Sequence, residues 1–134
     1  MEILESKKSS TKKALCKLKK MLSLLLKQKD PEIYEGLRDG LIQRFEFSFD
    51  SFWKYLKQYL KEKNKIEIEI PNPNKTFRTS YEQKLITKEE LDTLTNSTDD
   101  RNSSSHTYNE ELAIEISDRI EHYYEVMQNI IDRL

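Results

Sequence analysis

Residues 107–134 read TYNEELAIEISDRIEHYYEVMQNIIDRL, and within them Ala113, Ile116, Ile120, Tyr123, Met127, Ile130 and Leu134 recur at intervals of three and four. That spacing puts all seven on one face of an α-helix and leaves the charged residues on the other. One such helix cannot bury its stripe alone, so it needs partner helices with stripes of their own, in a bundle core or a dimer seam. Thr107-Tyr108-Asn109-Glu110 has the form of a capping box and predicts where this helix starts.

Working back along the chain, matching stripes appear. Leu15, Leu18, Leu22 and Leu25 mark one face of a first helix ending near Asp30-Pro31. Asp30 suits the cap and Pro31 the first turn of a long second helix. In it Leu37, Leu41, Phe45, Phe49, Phe52, Leu56 and Leu60 keep a helical rhythm to about Lys63. Gly36 and Gly40 lie inside this helix at a cost relative to alanine, which points to close packing there. Ile66 to Ile70 alternates as a strand would, but without a second strand it reads as an extended connector broken by Pro71-Asn72-Pro73. A third helix is expected over roughly Lys75 to Ile86. A short fourth should begin at the capping box Thr87-Lys88-Glu89-Glu90. The stretch from Thr95 to His106 holds no apolar residue, so a loop or distorted helix is expected there. The fold class that buries these stripes is all-α, an up-and-down four-helix bundle with an additional short helix, as a single domain over residues 1–134.

Composition agrees with that class. Only two glycines and three prolines occur among 134 residues, against 35% charged and 36% hydrophobic residues, which suits long amphipathic helices rather than a barrel or sandwich. The net charge of −1 conceals a polarity: residues 1–30 carry +6, residues 31–87 +1 and residues 88–134 −8. A general nucleic-acid binder is basic overall, so any RNA contact here must come from a local basic face or an assembled site. The lysines of the first helix read first as a solvated face. Cys16 is the single cysteine, which leaves no internal disulfide and reads as a buried thiol. The opening residues lack the apolar run of a signal peptide, and no segment is apolar for long enough to span a bilayer. The expected location is the cytoplasm.

Conventional chemistry is scarce. There is no glycine-rich phosphate loop, and two histidines cannot make a His-rich metal centre. His122 reads as a solvated or packing residue, and the acidic pairs Glu89-Glu90 and Glu110-Glu111 suit the positive ends of helix dipoles. Arg101-Asn102-Ser103-Ser104-Ser105-His106-Thr107-Tyr108 differs, because it gathers a permanent cation, an amide, an imidazole and a phenol. On an ideal helix Arg101 and His106 diverge by about 140°. The weak helix formers between them permit a bend that brings both to one cleft. A guanidinium can grip a phosphate, and an imidazole can move a proton from a ribose 2′-hydroxyl or to a leaving oxygen. Such a pair also occurs by chance on surface loops.

Two blocks resemble the HEPN superfamily, specifically its HepT-like branch of nucleotidyltransferase substrate-binding proteins. One runs from Asp39 to Lys54; the other is Asp100-Arg101-Asn102 with His106-Thr107-Tyr108, similar to the family's Arg-x4-His-x-Tyr motif. The similarity extends from Leu37 to the C-terminus, and the first helix matches only in character. Departures are Asp50 in place of a glutamate, Lys84 in place of a glycine, and Leu91 and Leu94 in place of aromatic residues. The resemblance implies a HEPN-like bundle, a homodimer with both motifs facing one cleft, and RNA cleavage without metal or cofactor. Arg101 and His106 would be catalytic, with Asn102 in support. It also implies a minimal nucleotidyltransferase antitoxin that blocks the enzyme by adding AMP to Tyr108. Arg44, Glu46 and Asp39 of the long helix are expected to brace the motif or the dimer. The competing reading is a non-catalytic subunit that binds substrate or nucleotide for a two-component nucleotidyltransferase.

Overall fold

The computed structural model describes residues 2–106 and 109–134, His106 by its backbone alone. Five α-helices follow in order: α1 (Glu2–Lys27), α2 (Pro31–Lys63), α3 (Pro73–Glu82), α4 (Lys88–Ser103) and α5 (Glu110–Arg133), with a 3-10 turn at Ser104–His106 between the last two. Among the described residues there is no strand, and the alternating Ile66–Ile70 segment is an irregular connector. None of the described helices is long and apolar enough to cross a membrane.

Local chemistry sets the boundaries. Asp30 accepts from the amides of Glu32 and Ile33, and Pro31 takes the first turn of α2, where its missing N–H costs nothing. At the other end of α2, Lys65 adopts a left-handed φ of 58° and the Ile66 amide returns to the Leu60 carbonyl, which stops the helix at Lys63. The third helix is shorter than the expected Lys75–Ile86 span and ends at Glu82. It is closed by a bond from the Leu85 amide to the Ser80 carbonyl, with Lys84 in the left-handed region at φ 62°. Lys84 is the position where the resemblance leads one to expect glycine, and that conformation is what glycine adopts without cost. The short member of the five is therefore α3, and not the helix that follows Thr87.

The long α2 is the spine. It packs along α1 on one side and against α5 on another, while α3 and α4 close the remaining side. Leu15, Leu18, Leu41, Phe45, Phe52, Leu56, Ile116, Ile120, Met127 and Ile130 are all fully buried, so the three stripes meet as expected. Aromatic rings fill the centre. Phe77 of α3 stands edge-on to Phe49 with centroids 5.9 Å apart, and Phe45 stacks on Tyr123 of α5 at 5.6 Å. Two expectations fail here. Cys16 is exposed on α1, because it falls one position off the leucine stripe. Of the two glycines, Gly40 packs closely, a Cβ there lying 3.2 Å from the Met21 methyl, whereas Gly36 meets nothing within 4 Å.

Candidate functional site

The polar stretch after Leu94 is helical through Ser103, not a loop. The capping box forms as expected, with the Glu90 amide donating to the Thr87 hydroxyl at 3.1 Å and the Thr87 amide to the Glu90 carboxylate at 2.9 Å. Further along, the hydroxyls that ought to weaken the helix are turned back on it. Thr95 donates to the Leu91 carbonyl, and Ser97 and Thr98 donate to that of Leu94. Satisfied in this way, Ser97 and Thr98 are buried without leaving a hydroxyl unpaired.

The last turn of α4 is pinned from two directions. The buried Asp100 carboxylate accepts from Arg119 Nε at 2.7 Å and Nη2 at 2.8 Å, and also from the Tyr123 hydroxyl, all on α5. Burial, and then the hydrogen bond to Asp100, push the Tyr123 phenol far above its ordinary range. Arg119 is likewise raised, chiefly by its hydrogen bond to Asp100. One residue on, and about 100° around the helix, Arg101 faces α2.

There Asp50 receives Arg101 bidentately, Nε to Oδ1 at 3.2 Å and Nη2 to Oδ2 at 3.1 Å, while Nη1 donates to Glu46 Oε2 at 3.0 Å. The Ser104 hydroxyl donates to the same Glu46 carboxylate. Glu46 and Asp50 stand one helical turn apart, so α2 offers both from a single face. The Asp50 hydrogen bond leads in raising the Arg101 pKa, so the guanidinium stays charged. Among the described residues three of the five N–H groups are thus engaged, on a side chain that is 28% exposed. The bent end expected before the final helix is present as the 3-10 turn Ser104–His106, and Asn109, not Thr107, is the described cap of α5, accepting from the Leu112 amide.

Of the residues singled out from sequence, Arg101 sits in a built, charged pocket, and Asn102 is exposed, its carbonyl accepting from the Ser105 hydroxyl. Tyr108 and the His106 side chain lie outside the described residues. Of the three residues expected to brace the motif or the dimer, Glu46 braces Arg101; Asp39 is exposed, and Arg44 lines a cleft against α1. His122 is exposed, 3.4 Å from the Thr93 hydroxyl. Sequence reasoning missed Asp50 as the principal partner of Arg101. It also missed the anchor formed by Asp100, Arg119 and Tyr123, for which the only signal was a charged residue, Arg119, next to the buried stripe of the last helix.

Over residues 6–134 the sequence matches the family described as nucleotidyltransferase substrate binding protein like, so the match takes in most of the first helix as well. The crystal structure of a Thermus thermophilus protein superposes with a TM-score of 0.81 at 36% identity, covering 92% of this chain and 97% of that one. A tri-AMPylated HEPN toxin of Shewanella oneidensis, solved in complex with MNT antitoxin, gives a TM-score of 0.71 at 17% identity, covering 98% and 96%. A Haemophilus influenzae protein, described as revealing the fold of a substrate binding domain of a nucleotidyltransferase, gives 0.69 at 19% identity, covering 98% and 96%. At such identities the last two establish the fold. Comparison with curated proteins gives no match.

Proposed function

This chain belongs to the nucleotidyltransferase substrate-binding protein-like family and has the HEPN helical fold, and from that premise we propose that it is the toxin of a two-protein toxin–antitoxin module. In this reading it is a metal-independent endoribonuclease acting as a homodimer, with an Arg-x4-His-x-Tyr motif at Arg101, His106 and Tyr108, silenced by a minimal nucleotidyltransferase.

The observation that carries the reading is the setting of Arg101. A guanidinium fixed by two carboxylates has already lost most of its rotational freedom, and the two N–H groups that no described residue takes can hold a phosphodiester at little further entropic cost. In the reaction His106 accepts the proton of a ribose 2′-hydroxyl, whose oxygen attacks the adjacent phosphorus. The bond from phosphorus to the 5′-oxygen breaks, that oxygen takes up a proton from solvent, and a 2′,3′-cyclic phosphate remains. Arg101 offsets the charge that builds on the phosphoryl oxygens. AMP joined to the Tyr108 phenol brings bulk and a negative phosphate to the neighbourhood of a site that must admit RNA phosphate, which accounts for silencing.

A second reading, a non-catalytic subunit that presents substrate or nucleotide to the transferase, is favoured by one feature. Glu46 and Asp50 together more than offset the charge of Arg101. Co-expression with the cognate nucleotidyltransferase, followed by intact mass measurement, separates the two. The toxin reading predicts one or more added AMP units, abolished by Tyr108→Phe, together with growth arrest when the chain is expressed alone. An unmodified chain that leaves growth unaffected supports the binding subunit.

A further inference from the structure

The lysine-rich first helix is not absorbed by the motif, and one part of it is more than a solvated face. Lys13 and Lys17 stand one turn apart on α1, where like charges repel. Arg44 joins them from α2, and among the described residues no carboxylate pairs with any of the three. Phe47, 52% exposed and one turn beyond Arg44, lines the same cleft. Ser10 and Ala14, too small to fill the space, complete a cleft of about 260 Å³.

Three cations around an exposed flat ring match the chemistry of a single-stranded nucleic acid, whose phosphates need neutralising and whose bases need a stacking partner. Placement adds to this. Phe47 directly follows Glu46, which holds Arg101, and neighbouring helix positions differ by about 100° and 1.5 Å of rise. The cleft and the Arg101 pocket therefore flank the same turn of α2. With a net charge of −1 the chain has no general basic footprint, so RNA contact must come from a local basic face, which this cleft supplies, or from an assembled site.

We infer that the α1–α2 cleft is a nucleic-acid subsite that takes the single-stranded RNA flanking the cleaved phosphodiester, Phe47 stacking on a base while Lys13, Lys17 and Arg44 neutralise backbone phosphates. This rests on the ribonuclease reading above.

The test is fluorescence anisotropy of the full-length protein with a short 2′-O-methyl RNA, which cannot be cut by a 2′-hydroxyl mechanism, titrated over a range of salt. Cleavage of the unmodified RNA is measured in parallel. Phe47→Leu should weaken binding by about five- to a hundredfold, and Phe47→Tyr, which keeps the ring, should bind as the parent does. Each of Lys13→Gln, Lys17→Gln and Arg44→Gln should flatten the slope of log affinity against log salt by about 0.7, while Lys84→Gln at the far end should leave it unchanged. The altered side chains are exposed or lie at the surface, and circular dichroism checks that each variant folds. Parent-like affinity and salt slope in the cleft variants overturn the inference. So does a change in sedimentation with Phe47→Leu, or loss of nucleotidyltransferase binding with RNA affinity intact, either of which assigns the cleft to a protein partner. If the cleft variants lose binding as expected but the parent cuts no RNA, the subsite stands and the ribonuclease reading fails.

Discussion

A guanidinium flanked by two carboxylates on one helical turn, as Arg101 is by Glu46 and Asp50, is oriented before any phosphate arrives. Its usefulness then depends on the geometry of those carboxylates rather than on their charge alone. Truncation in Asp50→Ala should let the side chain swing, lowering kcat for RNA cleavage by roughly ten- to a hundredfold while KM moves much less. Asp50→Glu, which keeps a carboxylate at that position, should recover most of the rate. Unchanged kcat in the alanine variant would remove Asp50 from the mechanism. A second residue-scale expectation concerns Lys84, held at φ 62° at the end of α3. Relief of its side-chain crowding in Lys84→Gly should stabilise the fold by about 1 kcal/mol, less the extra freedom glycine gains in the unfolded chain. Thermal unfolding should then rise by a few degrees, about 2–4 °C. A fall in Tm would show that the lysine side chain makes a compensating contact.

At the scale of elements, α4 decides whether Arg101 reaches α2 at all, and it is held at both ends. Its start is tied to the end of α5, where Arg133 donates to the Glu90 carboxylate at 2.8 Å. Burial alone would raise the Glu90 pKa and is the largest single influence, yet the hydrogen bonds from Arg133 and Thr87 together hold it below its ordinary value. A carboxyl depressed on folding contributes stability that is present above its unfolded pKa and lost as pH falls through the folded one. The parent should therefore lead Glu90→Gln in Tm near neutral pH, and the two melting curves should converge as the pH drops below 4.5. A constant gap down to strong acid would contradict this linkage. The far end of α4 is fixed by Asp100 to Arg119 and Tyr123, so one acidic residue sets the rotation that aims its neighbour. This was hidden in the sequence because Ser97, Thr98 and Asp100 look like loop residues until their bonds to helix carbonyls and to α5 are seen.

For the molecule as a whole, apolar periodicity was enough to recover α1, α2 and α5 and the core between them. The stripes of α1, α2 and α5 carry their own phase, and Asp30-Pro31 and Thr87 to Glu90 carry their own caps. Less legible were local details: the Leu85–Ser80 bond and left-handed Lys84 that shorten α3, the hydroxyl bonds that keep residues 95–98 helical, and the exposure of Cys16 one position off its stripe. The pairing of Arg101 with residues about fifty positions away depends on tertiary partners. Charge segregation was also legible, but its use was not, since only the fold brings Lys13 and Lys17 beside Arg44 and Phe47. Cleavage by 2′-hydroxyl attack is tested by incubating RNA with the purified chain in excess chelator and analysing the new termini. The expected result is fragments ending in 2′,3′-cyclic phosphate, no cutting of the same sequence as DNA, and no activity in a folded His106→Ala protein. Cleavage of the DNA strand, or full activity in that variant, would contradict it.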